Sequence, residues 1–280
     1  MYKIKPLFAY QGGKTKIASK ICDFVSSKVQ DFTFVDVCCG GGSVSIEMLN
    51  RGVPSSQIYM FDSGAIGAFW QQVSESTFDL EWFKDLIEQI PEDRSKIKAF
   101  MENLSKIEYE YVGEQTASYL ILQAASFGGK QIFDEGGRFS NTSFRDFWLP
   151  TETSSRRSPV NPMMPMPNEL LSRLEILLEN MQGIRASHCY AEDINFQYIR
   201  DSHKNDVVVY IDPPYKGTTG YRDNVNLDEV IEKALKISAH VFVSEYNPIG
   251  VEYIEVSKTS KGGITGNAKK QMNEYLTYLK

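Results

Sequence analysis

Apolar positions change their spacing several times along the chain, and each change predicts an element. From Lys14 to Val29 the residues Ile17, Ile21, Cys22, Phe24, Val25 and Val29 recur at helical spacing. FTFVDV (32–37) is a short β-branched and aromatic run, which predicts a buried strand. Gly40-Gly41-Gly42 leads into SVSIEMLNRG, a short helix that Gly52 can end at its C′ position. QIYMFD (57–62) predicts a second strand, closing on an acid. Strand, glycine turn, helix and strand make the opening of a parallel α/β sheet.

The pattern then turns helical and charged over residues 78–128. EQTASYLILQAASF (114–127) is the most apolar helix there, with Gly128-Gly129 as its stop. Residues 129–148 carry Gly136-Gly137 between β-prone flanks, which predicts a hairpin or an ordered loop. TETSSRRSPVNPMMPMP (151–167), with four prolines, reads as an extended connection, and 168–183 as an amphipathic helix. The α/β rhythm returns with ASHCYAED (186–193) as a strand and DVVVYID (206–212) as a near-continuous apolar run, the mark of a central parallel strand. LDEVIEKALKIS follows as a helix, HVFVSEY (240–246) as a strand, and EYIEVSK and NEYLTYL as two more. The economical division is one α/β domain from residues 1–74 and 184–280, interrupted by a mainly helical insertion, 75–183.

Composition narrows the class. At 42% hydrophobic and 24% charged, the 280 residues have ordinary globular usage. No run approaches the roughly 18 apolar residues of a membrane span, and the start lacks a signal-peptide core. Four cysteines without CxxC spacing and three histidines give no structural zinc site. The expectation is a reduced, cytoplasmic, monomeric protein that needs neither membrane nor metal.

The net charge of −6 argues against a passive nucleic-acid coat, but the charge is uneven. Residues 1–30 hold six lysines against Asp23 alone, while residues 75–115 hold eleven acids and five bases. A basic N-terminal lobe can still face phosphates.

Three motifs carry chemistry. Asp212-Pro213-Pro214-Tyr215 directly follows the strand VVVYI, where open α/β sheets bind ligands. Asp212 offers a carboxylate and Pro213 a carbonyl, two acceptors for the two hydrogens of an exocyclic amine. The proline pair stiffens that backbone, and Tyr215 offers a face for a flat base. The bland reading is a strand end with Asp212 as a turn cap. The second motif runs from Asp36 through Cys38, Cys39, Gly40, Gly41 and Gly42 to Ser43, with Asp62 closing the next strand. Glycines admit a ligand to the backbone, and an acid at a strand end can take ribose hydroxyls. That pattern alone fits NAD, FAD or S-adenosylmethionine, although the GxGxxG spacing of a dinucleotide site is absent. The cysteines read as packing residues. The third motif is Tyr10-Gln11-Gly12-Gly13-Lys14. A lysine in a first helical turn opposes the macrodipole unless it meets a negative group, such as a cofactor carboxylate or a DNA phosphate.

In this order, YQGGK, DVCCGGGS, FD, an insertion and DPPY, the chain resembles the Dam-type DNA adenine-N6 methyltransferases, the alpha-group amino-methyltransferases of bacteria and phages. The resemblance implies a Rossmann-like methyltransferase sheet, S-adenosylmethionine as cofactor, double-stranded DNA as partner, and target recognition by the inserted region. It assigns Tyr10 and Lys14 to the N-terminal cofactor-and-DNA motif, where Trp is usual in the first place. It assigns Asp36, Cys38, Gly40, Gly42 and Ser43 to the cofactor loop, Asp62 to the ribose, and Asp193 with Ile194 to the cofactor's adenine. Asp212 to Tyr215 match the catalytic motif, with Asp212 also beside the cofactor. Arg138 and Asn141 fall where the family has a glycine hairpin that approaches DNA. The departures from the family pattern are Tyr10 and Cys38-Cys39.

The implied chemistry is direct in-line transfer to an amine whose base has been flipped out of the duplex onto Tyr215. Phosphate contacts are expected from the lysine-rich start, Arg156-Arg157 and the group Lys258, Lys261, Lys269 and Lys270. Trp70, Trp82, Phe127 and Trp148 read as core, and His188, His203 and His240 as structural or surface residues. Rival readings are an N4-cytosine or RNA amino-methyltransferase, a methyltransferase acting on a protein glutamine amide, a catalytically silent DNA-binding relative, and a dinucleotide oxidoreductase.

Overall fold

The structure, a computed structural model, describes residues 3–109, 111–132, 144–214, 225–237, 239–261 and 270–280. In chain order the first elements are α1 (Ala18–Lys28), β1 (Phe32–Val37), α2 (Ser43–Asn50), β2 (Ile58–Asp62) and α3 (Ala65–Glu75). There follow α4 (Leu80–Gln89), α5 (Ile97–Leu104), α6 (Val112–Ala125) and α7 (Pro167–Asn180). The last are β3 (Arg185–His188), α8 (Phe196–Ser202), β4 (Asp206–Ile211), α9 (Leu227–Lys236), β5 (His240–Glu245), β6 (Glu252–Lys261) and β7 (Lys270–Leu279). The chain divides into two compact units, Lys14–Trp70 with Gly183–Lys280, and Met1–Gly13 with Gln71–Gln182.

The first unit holds one seven-stranded sheet in the order β3-β2-β1-β4-β5-β7-β6. Neighbours among β1 to β5 pair in parallel, and β7 runs antiparallel to both β5 and β6. This mixed, mostly parallel sheet is consistent with the Rossmann-like methyltransferase fold. From β1 the chain proceeds outward through β2 and β3, then returns to lay β4 and β5 on the other side. The strand order therefore reverses between β1 and β4, the place where open α/β sheets bind ligands.

Both faces of the central strands are covered, which is why their sequences are almost unbrokenly apolar. On one face Val35, Val37, Val207, Val209, Ile211, Val241 and Val243 pack with Phe196, Ile199, Val230 and Ala234 of α8 and α9. On the other, Phe34 stacks on Tyr210 at 6.3 Å and Phe24 of α1 meets Phe242 edge-on at 5.8 Å. Each such side chain contributes about 1.5–3 kcal/mol by leaving water. At the end of α2, Gly52 has φ +92° and donates to the Leu49 carbonyl, while Val53 donates to that of Met48. That is the glycine stop expected from the sequence.

The second unit is built around α6, whose residues Thr116–Ala125 are all buried. A helix buried all round belongs inside a bundle; on it Thr116 accepts from Gln72, and Ser118 donates to Tyr109 at 2.6 Å. Phe83, Leu86, Met101, Leu104, Leu170, Leu174 and Leu177 supply buried positions from α4, α5 and α7.

Several boundaries differ from the sequence reading. The turn at Lys14 precedes the helix proper, because Ile17 and Ala18 both donate to the Lys14 carbonyl and regular helix starts at Ala18. The strand expected over 186–193 ends at His188, where Cys189 donates to the Asp62 carbonyl and Ala191–Asp193 turns as a 3-10 helix. The two C-terminal strands are longer than expected because they pair as one antiparallel ladder. α3 and α8 had no counterpart in the apolar spacing. Among the aromatics assigned to the core, Trp70 is buried, but Phe127 is 58% and Trp148 38% exposed. Phe127 lies in the turn after α6, and Trp148 sits on an isolated bridge to Val160, neither covered by a packed element. Each histidine has a partner: His188 with the Ser63 carbonyl, His203 with Tyr59 and His240 with Tyr278. No described helix is long and apolar enough to cross a membrane.

Candidate active site

The carboxyl ends of β1 and β4 lie side by side, with Val37 opposite Ile211. Each strand releases a motif there. Leaving β4, the Asp212 N–H still donates to the Val37 carbonyl at 3.1 Å, so the start of Asp212-Pro213-Pro214 is fixed to the end of β1. Leaving β1, Cys38 takes φ +60°, Gly40 +50° and Gly42 +68°, a run of left-handed positions that folds the loop over the strand end. Glycine is required at 42: a Cβ there would stand 2.6 Å from Trp70 and 2.8 Å from Met60.

Asp62, at the end of β2, staples this loop. One carboxylate oxygen accepts the Gly40 N–H at 2.8 Å and the other accepts the Gly64 N–H at 2.8 Å. Cys39 donates to the Phe61 carbonyl at 3.0 Å, and the Trp70 indole donates to the Gly40 carbonyl at 2.8 Å. Beneath the loop Asp36 is 1% exposed and accepts from the Ser45 hydroxyl at 2.6 Å. Burial pushes its carboxyl up to about 7, against the pull of the Ser45 hydrogen bond, and the charges of Asp212 and Asp62 add to the rise.

Lys14 joins the two motifs. Its backbone N–H donates to the Ser43 hydroxyl at 3.0 Å, at the start of α2. Its ammonium lies 2.6 Å from Asp212 Oδ2 and 3.3 Å from Glu274 Oε1, with the Lys14 side chain 7% exposed. Burial alone pulls the Lys14 pKa down, but the Asp212 and Glu274 carboxylates outweigh it and hold it above its ordinary value. The sequence reading offered Lys14 a cofactor carboxylate or a DNA phosphate, whereas the structure buries it against two carboxylates of the chain itself. Glu274 escaped that reading. The available signal was an acid two residues before Leu276, and so on the same strand face as a fully buried position.

The other sequence-selected residues distribute as follows. Asp193 is exposed at the end of its turn, whereas Ile194 packs into the core beside Tyr59 and Ala191. Tyr10 belongs to the second unit, where its hydroxyl accepts from Gln131 at 3.3 Å and Gln11 donates to the Gly129 carbonyl. Arg156 and Arg157 are exposed and donate to the carbonyls of Ser158 and Glu152. Lys258 is exposed beside Glu255. Tyr215, Arg138 and Asn141 lie outside the described residues, as does most of the hairpin expected over 129–148.

The four cysteines are unpaired thiols. Burial pushes Cys22 up to about 12 and Cys189 up to about 11, and it raises Cys38 and Cys39 well above the ordinary thiol value, with Asp62 adding to both. Protonated thiols are poor nucleophiles, which matches their reading as packing residues. Among the described residues no three His, Cys, Asp or Glu side chains are grouped to hold a metal ion.

The donor set suits S-adenosylmethionine. Around the strand ends stand the carboxyl groups of Asp36, Asp62, Asp212 and Glu274, with the Lys14 ammonium paired to two of them. Such a surround favours a sulfonium cation, and it opposes the pyrophosphate of a dinucleotide. Asp62, closing β2, is an acceptor of the kind that takes ribose hydroxyls at a strand end.

No curated protein matches the chain. Residues 10–145, which include the glycine loop and Asp62, match the family model of the D12 class N6 adenine-specific DNA methyltransferases. That match supports a Dam-type adenine methyltransferase, a family that methylates adenine N6 in DNA with S-adenosylmethionine as methyl donor.

Proposed function

We propose that Asp212 and Pro213 are the groups that activate the adenine amine. The observation that carries this is the place of Asp212: at the switch point, tied to β1 through its N–H and to Lys14 through its carboxylate. The adenine amine is a weak nucleophile because its lone pair is delocalised into the ring. The Asp212 carboxylate and the Pro213 carbonyl accept its two hydrogens and draw the lone pair out of the ring plane. They also stabilise positive charge developing on nitrogen. When bound, S-adenosylmethionine supplies a methyl group on a sulfonium leaving group. As the new N–C bond forms, the amine's surplus proton passes along its hydrogen bond to the Asp212 carboxylate and on to water.

The cofactor's neighbours on this reading are Lys14, Asp36, Cys38, Gly40, Gly42, Ser43, Asp62, Asp193, Ile194 and Asp212; Tyr10 is assigned to the cofactor by the resemblance alone. Their roles differ. Asp62 and the glycine loop face the ligand, whereas Asp36 and Ser43 act from beneath, through Ser45 and Lys14. Tyr215 and Pro214 receive the flipped base. Residues 75–183 form the target-recognition region, with Arg138, Asn141, Arg156 and Arg157 toward the DNA. The protein acts as a monomer in the cytoplasm.

Tritiated S-adenosylmethionine incubated with unmethylated DNA, followed by nucleoside analysis, tests the assignment. Label in N6-methyladenine with the wild type, and loss of at least about a hundredfold with Asp212→Ala, is the expected result. Near-normal turnover in Asp212→Ala overturns the role of Asp212, and label in N4-methylcytosine overturns the acceptor.

A further inference from the structure

Glu274 has no part in the chemistry so far, yet its carboxylate is 13% exposed and shares the Lys14 ammonium with Asp212. It arrives on β7, the strand that runs against its neighbours, where it pairs with Ser257 of β6. A second carboxylate on one buried ammonium is an expensive arrangement. Three desolvated charges are held where a neutral Lys14–Asp212 pair could stand, and a sheet strand readily carries an apolar residue at that position.

The arithmetic of charge suggests what the extra acid does. Lys14 with Asp212 alone sums to zero, and the ammonium then competes undiluted for the lone pairs of Asp212. Glu274 adds one negative charge beside that pair. We propose that Glu274 is a positioning residue that makes this cluster one charge more negative. The site thereby favours a sulfonium donor over its uncharged thioether product, and Lys14 is drawn partly away from Asp212. The second effect rests on the reading of Asp212 as the acceptor of the amine hydrogens; the first does not.

A neutral and a cationic ligand of nearly the same shape separate charge from architecture. Isothermal titration of the full chain without DNA gives the affinities for S-adenosylmethionine and S-adenosylhomocysteine. Glu274→Gln is expected to weaken the sulfonium ligand on the order of tenfold, the scale of one unit charge acting over several ångströms in a protein interior. The thioether should change by less than about twofold, a shift far smaller than that one charge would cause. Glu274→Asp should restore most of the preference. Lys14→Met should move it the opposite way, because it removes a positive charge from the cluster. Equal weakening of both ligands in Glu274→Gln, or an unchanged ratio, overturns the proposal. Single-turnover methyl transfer by Asp212→Asn keeps the two readings apart. If that variant transfers normally, the role of Asp212 fails while the ligand preference still stands or falls on Glu274.

Discussion

Replacing Lys14 by Met removes the charge from the junction of the two motifs and keeps most of the side-chain volume. With the ammonium 2.6 Å from Asp212 and 3.3 Å from Glu274, Coulomb attraction at an effective dielectric near 20 amounts to about 6 and about 5 kcal/mol. Most of that offsets the desolvation of three charges. What the variant loses is set by the two carboxylates left facing each other without a cation, about 3–5 kcal/mol. For a chain of this length the melting temperature should fall by roughly 6–10 °C. The pH dependence has a definite sign. The Lys14 pKa is raised in the folded protein, so its contribution is complete below the ordinary lysine value and fades only as pH rises through the higher folded one. Between pH 6 and 9 the wild-type contribution is therefore constant. Calorimetric melting at pH 6.5 and 8, for Lys14→Met alone and combined with Glu274→Gln, measures this. The double variant should recover part of the loss, because it removes one of the two stranded charges. A Lys14→Met protein melting within about 2 °C of wild type at pH 8 (under roughly 1 kcal/mol), or a double variant in which the two costs simply add, refutes the reasoning.

Asp36 gives a dependence of its own. Its carboxyl, at about 7 when folded, lies above the ordinary carboxylate range, so folding favours its protonated form. That stability is present at low pH and is lost as pH rises from about 4 through 7, to a total on the order of 3–4 kcal/mol. Asp36→Asn should flatten the decline between pH 5 and 8, and a decline that persists unchanged in urea titrations contradicts the assignment. Gly42→Ala combines a left-handed φ with a Cβ 2.6 Å from the Trp70 ring. It should cost about 2–4 kcal/mol and weaken S-adenosylmethionine binding severalfold, and unaltered melting and affinity would show that the loop can relax.

The central strands were legible because both faces are covered, which leaves Val207–Ile211 and Phe32–Val37 almost without polar interruption. The glycine stop at Gly52 was legible because its chemistry is local. α8 was not, since seven residues hold too few turns to show a period. The same contrast holds in the site. The Asp212 and glycine motifs could be read as short strings at strand ends. The depth of Asp36 could not, because its strand neighbours look alike whether or not a loop folds over them. The partners of Lys14 stand 198 and 260 residues away along the chain, and a residue's spacing says nothing about a contact of that range. Thus the sequence offered Lys14 a cofactor carboxylate, a DNA phosphate or plain solvent, and named no partner within the chain. Tertiary structure supplied two, one of them in a strand that sequence had marked only as β-prone.

The most direct measurement is a crystal structure of the protein with target DNA and a non-reactive S-adenosylmethionine analogue. The expected result is an extruded adenine whose N6 lies within about 3.2 Å of both an Asp212 carboxylate oxygen and the Pro213 carbonyl, with Lys14 still on the far side of the carboxylate. An adenine seated elsewhere, or an amine bonded to neither acceptor, contradicts it.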